Sequence, residues 1–319
     1  MTQTKIAIAA GGTAGHVAPA LAVADALRAE QAHVAFVGGT RAEAELVPAA
    51  GYELRTISVE GLSRTNLLHA ARALLRAALA FPRARAILRE LRPDAVLGAG
   101  GYVAGPVGLA ALSLRIPLVL TEADSHLGLS NRLLARGARR VCLAFPIAGR
   151  DEDRYRLTGR PIPVPDADRT EARARFQIAD GETCVLVFGG SLGARSINLA
   201  AVEALAGTSS SSSSSTTTTT TITTIGADEM APGGLLASIR ENASPLRVLH
   251  IAGRRDHLEL ASRTLPDGYD LREYLDLDEF AQALAAADLV VARSGGSVFE
   301  IAAYGLPAIL VPYPHASAD

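Results

Sequence analysis

The chain has no tryptophan, only two cysteines, two methionines and 4% aromatic residues, and Lys5 is the sole lysine among its 31 basic residues. With Cys142 and Cys184 each inside an apolar run that reads as a strand, a disulfide framework is excluded and a reducing, cytosolic compartment is expected. His and Cys show no metal-ligand spacing, so no structural metal is indicated. An excess of one charge is missing as well. The balance of 31 basic and 33 acidic residues gives −2, which argues against a dedicated nucleic-acid binder. The N-terminal apolar run Ile6–Ala10 is too short for a signal peptide and ends in glycines. The longest uncharged stretch, Ala95–Leu114, has the length of a membrane span. It contains Gly98, Gly100, Gly101, Gly105, Pro106 and Gly108, however, and reads as a strand, a glycine loop and the start of a helix.

What is present fits a globular α/β protein. The 319 residues are 49% hydrophobic and 20% charged, and that length suggests two domains at roughly 150 residues each. Strand-like and helix-like segments alternate: strands at Lys5–Ala10, His33–Val37, Glu53–Val59, Ala95–Leu97 and Pro117–Thr121, helices at Val17–Glu30 and at Leu67–Leu91, the latter broken or kinked near Pro82. The proline cluster Gly159–Pro165 reads as a linker. Beyond it come strands at Cys184–Phe188, Arg247–Ile251, Leu289–Ala292 and Ala308–Val311, with helices at Ala194–Leu205, Leu277–Ala286 and Gly296–Tyr304. The pattern predicts two doubly wound, Rossmann-like parallel-sheet domains, residues 1–158 and 159–319, with a binding cleft between them. Seven serines and six threonines, Ser209–Thr221, read as a low-complexity surface insertion spanning about 208–224. No helix follows the last strand, so the second domain reads as C-terminally truncated.

Three glycine-rich turns follow predicted strands: Gly11–His16, Gly98–Gly105 and Gly189–Ala194. Glycines there let backbone N–H groups approach a phosphate with a helix N-terminus behind them, although any tight turn also favours glycine. None ends in the Gly-Lys-Ser/Thr of a P-loop. The first also lacks the G-x-G-x-x-G spacing and the distant acid of a dinucleotide fold, which disfavours a nicotinamide oxidoreductase. His16 stands at a helix start, where the dipole favours a neutral ring able to accept a proton; a capping or packing histidine is the alternative. Glu300 could bind sugar or ribose hydroxyls, or merely compensate a helix dipole. Asp276-Leu277-Asp278 mimics a metal-binding D-x-D but reads better as a helix start with Asp278 as the cap.

In sequence, Gly11–His16 with Val17–Ala22, Gly100–Pro106, Gly189–Ala194 and Arg293–Glu300 with Ile301–Ala303 resemble the MurG family, over residues 5–319 apart from the Ser/Thr insertion. The resemblance implies a GT-B fold and inverting transfer of N-acetylglucosamine from UDP-N-acetylglucosamine to the undecaprenyl-linked acceptor lipid I, making lipid II for peptidoglycan. It implies no cofactor, the glycine turns and helix dipoles stabilising the leaving diphosphate in place of a metal. It places Thr13, Ala14, Gly15 and His16 at the cleft, with His16 the candidate catalytic base. Ser191 is expected at the diphosphate, Leu275 at the uracil through its backbone, Glu300 at the ribose, and Gly296 and Ser297 in the same donor site. The loop Gly100, Gly101, Tyr102 and Gly105 is expected on the acceptor or phosphate side. Three departures stand out. Asp124 replaces an Asn frequent in the family, keeping an acceptor but losing the amide donor. Pro163 stands where the family often has Arg, and Arg160 is the nearby substitute. The family's glutamines follow the loop beginning at His315, after which this chain stops. Other readings are a GT-B transferase for a different lipid or small-molecule acceptor, or a non-catalytic remnant that binds UDP-sugar or membrane.

A lipid-linked acceptor also implies docking on an anionic membrane surface, peripherally, at the cytoplasmic face of the bacterial membrane. Residues 61–92 hold seven arginines against one acid, Glu90. Leu68, Leu75 and Leu79 share a helical stripe flanked by Arg72 and Arg76, with Phe81 and Arg83 following. Such a helix can lie in the membrane interface, or its leucines can face the domain's own core.

Overall fold

The structure, a computed structural model, describes residues 3–59, 67–190, 193–206 and 245–313. The predicted insertion at 208–224, Ser191 and His315 lie outside them. The chain divides into two compact units at Val164/Pro165, within the predicted linker. Arg160 stays with the first unit, its Nη2 donating to the Gly15 carbonyl at 2.5 Å.

The first unit runs β1 (Lys5–Ala9), α1 (Ala14–Ala29), β2 (His33–Gly38), α2 (Ala42–Ala49), β3 (Glu53–Thr56), α3 (Leu67–Leu91), β4 (Ala95–Gly98), α4 (Ala104–Ser113), β5 (Leu118–Glu122), α5 (Leu129–Leu134), β6 (Arg140–Leu143) and β7 (Tyr155–Leu157). Its sheet has the order β3-β2-β1-β4-β5-β6-β7, with every pair parallel. The central strands are apolar on both faces, as a parallel sheet covered by helices requires: Ala7, Ile8, Ala9, Phe36, Val37, Val96 and Leu120 are all buried. The two edge strands carry charged residues, Glu53 and Arg55 on one and Arg156 on the other, while on the inner strands charge falls only at strand ends, as at Glu122 and Arg140. Lys5 is exposed at the start of β1, at the opposite end of the sheet from the turns that follow the strands.

Three expectations shift here. The β3 ladder ends at Gly38↔Thr56, because β2 has no further residue to pair with, so the strand is shorter than Glu53–Val59. Helix α3 continues through Pro82 rather than breaking. The buried residues Ala80, Ala84, Ile87 and Leu88 flank the proline on both sides, and their packing offsets the hydrogen bond that it forgoes. The short α2 and α5 were not anticipated.

The second unit runs α6 (Arg169–Arg175), β8 (Thr183–Phe188), α7 (Arg195–Ala201), β9 (Leu246–Ile251), α8 (His257–Ala261), β10 (Tyr269–Arg272), α9 (Leu277–Ala286), β11 (Leu289–Arg293), α10 (Val298–Ala303) and β12 (Ala308–Val311). Its parallel sheet has the order β10-β9-β8-β11-β12. A single π turn, Val202–Ala206, continues α7 where a longer α-helix was expected. Helix α9 is capped by Asp276, not Asp278: the Asp276 carboxylate accepts from Glu279 N–H and Glu279 answers on Asp276 N–H, a reciprocal capping box. Asp278 falls inside the first turn instead, and the D-x-D spacing is fully explained by helix capping.

Candidate functional site

In each sheet the strand order reverses once, at β1/β4 and at β8/β11. Open parallel sheets bind ligands at the carboxyl ends of the strands flanking such a reversal. All three predicted glycine turns leave those strand ends, and so does the Ser294–Ser297 turn.

In the first unit, β1 and β4 pair out to Ala9↔Gly98, and the turns that follow touch. Gly101 has φ +74°, and a Cβ on it would lie 2.0 Å from the Gly11 carbonyl oxygen. Only glycine lets the two backbones meet there. Thr13 is the N-cap of α1 but makes no side-chain cap bond. Its Oγ1 lies 3.1 Å from His16 Nδ1 instead. A Cβ on Gly100 would meet the His16 ring at 3.3 Å, so this ring sits against the second turn. Gly15 lies beside Arg160, and the Ala14 side chain is outside the described residues. The pKa of His16 is lowered, first by the protein atoms crowding part of the ring and then by the Arg160 guanidinium; Asp124, Glu122 and Glu43 pull it the other way. The first turn of α1 holds no acid, so the helix N-terminus adds to the lowering.

Three carboxylates therefore surround the histidine, of which the sequence pointed only to Asp124. Asp124 is exposed on the loop after β5, and its N–H donates to Glu122 Oε1 at 3.2 Å. Glu122, 7% exposed, also accepts from Gly128 N–H (2.8 Å) and Asn131 Nδ2 (3.0 Å), which fixes that loop. Gly105 in α4 packs on Ser130, with a would-be Cβ 3.3 Å from its Oγ. Glu43 in α2 is fully buried and accepts from Gly12 N–H (2.9 Å), Gly39 N–H (2.8 Å) and the Tyr102 hydroxyl (3.0 Å). Burial, then the Glu43 carboxylate, pushes the Tyr102 hydroxyl up to about 12, so it remains a donor. The local trace of Glu43 in the sequence, a Gly38-Gly39 pair followed by an acid at the next helix start, does not by itself set this acid apart.

In the second unit, Gly193 has φ +80° and its Cβ position lies 2.1 Å from the Ala252 carbonyl oxygen. This turn therefore rests on the end of β9. Ala252 is also held by Asn198 of α7, whose Nδ2 donates to the Ala252 carbonyl (2.8 Å) and to Asp256 Oδ2 (2.9 Å). Those two acceptors orient the amide, so Asn198 Oδ1 faces His250 Nε2 at 3.1 Å. His250 Nε2 must then carry the proton, and Nδ1 accepts from the Tyr269 hydroxyl at 2.7 Å. Asp256 is closed off by Arg255, and Arg195 makes a bidentate pair with Glu259 at 2.5 and 2.9 Å. Sequence reading passed over this network because Asn198 lies more than fifty positions from His250, Ala252 and Asp256 and the members share no motif. Across the strand reversal, Arg293 of β11 donates to Ser196 Oγ at 2.8 Å, tying the two turns of this unit together. Gly296 and Ser297 begin α10, with Ser297 its N-cap, and the half-buried Glu300 is in its first turn. The Leu275 side chain is 5% exposed and packed in the core, which leaves its backbone as the part able to meet a ligand.

Helix α3 buries one face and exposes another. Ala80, Ala84, Ile87 and Leu88 enter the core, while Leu79 is 66% exposed and Arg83 is exposed. Phe81, expected on the outer stripe, packs partly against the core, because it lies three and seven residues before Ala84 and Leu88. Arg76 is half-buried, and the side chains of Leu68, Arg72 and Leu75 lie outside the described residues. Among the described residues no helix is long and apolar enough to cross a membrane, and no group of three His, Cys, Asp or Glu could hold a metal ion.

Two Rossmann-like parallel-sheet units, each with glycine turns at its strand reversal, define the GT-B fold. Comparison with known proteins narrows this. Residues 6–143 match the glycosyltransferase family 28 N-terminal domain and residues 184–319 its C-terminal domain. The chain is 40% identical to a UDP-N-acetylglucosamine--N-acetylmuramyl-(pentapeptide) pyrophosphoryl-undecaprenol N-acetylglucosamine transferase of Halorhodospira halophila, over 100% of this chain and 80% of that protein. It is 37% identical to the protein of that name from Moorella thermoacetica, over 99% of this chain and 80% of that protein. The crystal structure of Acinetobacter baumannii MurG matches with a TM-score of 0.60 at 27% identity, covering 99% of this chain and 80% of that one. The chain belongs to the MurG branch of glycosyltransferase family 28.

Proposed function

We propose that the chain transfers N-acetylglucosamine from UDP-N-acetylglucosamine, with inversion, to the 4-hydroxyl of the N-acetylmuramyl sugar of lipid I, giving lipid II and UDP. The observation that carries this reading is 37–40% identity to transferases of that name through both units. The geometry of the first unit supports His16 as the base. With Nδ1–H donating to Thr13 Oγ1, the neutral His16 ring presents its Nε2 lone pair, which takes the proton of the attacking hydroxyl as the bond from C1 to the diphosphate oxygen breaks. Partial crowding of the ring, then Arg160, together with the α1 N-terminus disfavour the imidazolium.

The donor belongs with the second unit: the Gly189–Ala194 turn with Ser191 for the diphosphate, the Leu275 backbone for uracil, and Gly296, Ser297 and Glu300 for the ribose side. Asp124 and Arg160 of the first unit are assigned to the donor by the family resemblance, and Gly100, Gly101, Tyr102 and Gly105 to the acceptor. No cofactor is required in this reading. Calorimetry is expected to give tighter binding of UDP-N-acetylglucosamine than of GDP-mannose or TDP-glucose. Equal affinity for all three sinks the uridine-donor assignment. Product formation from purified lipid I, against other lipid-linked sugars, tests the acceptor.

The acceptor's lipid places the enzyme on the cytoplasmic face of the membrane as a peripheral protein. The exposed Leu79 and Arg83 on α3 support docking through that helix. Each surface arginine contributes about 1 kcal/mol on anionic lipid, fading at high salt. Sedimentation with liposomes should rise with phosphatidylglycerol or cardiolipin content and fall with salt. It should also drop when Arg72, Arg76 and Arg83 are changed to Gln with the fold kept. Equal sedimentation of the triple variant removes this helix as the docking surface.

A further inference from the structure

We propose that Glu43 is a positioning residue for His16: a buried carboxylate that fixes the turn carrying the histidine and keeps a negative charge behind its ring. The proposal rests on the reading of His16 as the base and extends it to a residue outside the glycine turns.

Glu43 has no exposed surface, yet three donors from three different segments end on it: Gly12 from the turn after β1, Gly39 from the turn after β2, and Tyr102 from the turn after β4. Glycines clear the space around it. A Cβ at Gly11 or at Gly39 would stand 2.8 Å from Glu43 Oε1, and one at Gly38 would stand 2.9 Å from its Cγ. The Gly39 Cβ would also strike the Tyr102 hydroxyl at 2.7 Å. Three glycines on two strand ends are thus shaped around one carboxylate. Simple turn-making does not require that; accommodating a buried anion does. Charge-assisted bonds of this kind are the strong ones in a dry interior, and here they tie the first and second glycine turns to α2.

The link to His16 runs through Gly12. Its N–H is held by Glu43 Oε2, and its Cβ position is 3.9 Å from His16 Nδ1. Among the described residues the charged groups acting on the ring are four: Arg160 from the linker disfavours the imidazolium, while Asp124 and Glu122 from the end of β5 and Glu43 from α2 favour it. Glu43 and Arg160 therefore act on the same proton with opposite sign.

Glu43→Gln is nearly isosteric, removes the charge and turns an amide N–H₂ toward donors that need an acceptor. The His16 ring is followed by NMR titration in the unliganded protein, its signal assigned by its loss in His16→Ala. Glu43→Gln should move the His16 titration to lower pH, and Arg160→Gln should move it to higher pH. In turnover, Glu43→Gln should lower kcat about ten- to hundredfold, the cost of a misplaced reacting group, with KM for UDP-N-acetylglucosamine held. A residue that merely stabilised the fold would lower the melting temperature without moving the His16 titration. A folded Glu43→Gln protein with the wild-type titration and wild-type kcat overturns the proposal. Should that variant not fold, Glu43→Asp keeps the charge but withdraws it from Gly12; it should titrate like the wild type and turn over more slowly, and wild-type kcat there overturns the proposal equally. If His16→Ala keeps its kcat, the base assignment fails, whereas the titration still decides the electrostatic coupling between Glu43 and His16.

Discussion

Replacing His16 with alanine is expected to lower kcat by about 10²–10⁴-fold while leaving UDP-N-acetylglucosamine affinity nearly unchanged. The reason is timing. A base acts only on a proton in flight, so its loss appears in the transition state and not in the bound ground state. The surroundings of His16 agree with that role: Nδ1 is occupied by Thr13 Oγ1 at 3.1 Å, and Arg160 and the crowding of the ring hold its pKa below the ordinary imidazole value. The acidic limb of the kcat profile should accordingly lie below pH 6.5 and vanish in the variant. Steady-state kinetics with lipid I across pH 5–9 measures both. A raised KM with kcat preserved would make His16 a binding residue and place the base elsewhere.

The second large effect is on stability and belongs to His250. Buried against Asn198 and Tyr269, its ring has a pKa lowered to about 4 by desolvation. In the unfolded chain it titrates near 6.5. Between those values the unfolded state binds the extra proton, so stability is fully present above about pH 6.5. It falls as the pH drops, and the loss is complete below about pH 4. The difference corresponds to about 3 kcal/mol. Protonation also breaks the ordered chain, because Nδ1 can no longer accept from Tyr269, and burial keeps that hydroxyl from giving up its proton. Urea denaturation of the second unit at several pH values, in the wild type and in His250→Gln, isolates this contribution. The variant should be less stable at pH 7.5 and lose less on acidification. Parallel pH profiles in the two proteins would refute the assignment.

The alternation of strand and helix, the two-unit division and the glycine turns were all legible because each is local. A buried parallel strand is a short apolar run, and a strand-to-helix turn needs glycine within a few residues. The GT-B class then followed from motifs in order along the chain. Features decided by contacts between distant segments were not legible. Glu43 reads as an ordinary acid near a helix start until Gly12 and Tyr102 are brought to it. His250 reads as a strand residue until Asn198, fifty-two positions away, turns its amide toward the ring. The division of α3 was ambiguous for a related reason. Leucine spacing fixes a stripe but not its partner, and Phe81 went inward because it is in phase with Ala84 and Leu88. The cap of α9 moved to Asp276 because Glu279 sits three residues beyond it and can close the box, which Asp278 has no acid placed to do.

The lone lysine has a practical consequence. Lys5 opens β1 on the exposed rim of the sheet, and the strand runs from it toward Gly11, so its ammonium group and the glycine turns are separated by the length of a strand, about 16 Å. A reagent selective for lysine ε-amines has one lysine side chain to find, because the other thirty Lys/Arg positions are all arginine. A fluorophore or a sensor-chip tether coupled there attaches every molecule in the same orientation and leaves the turn that carries His16 unmodified.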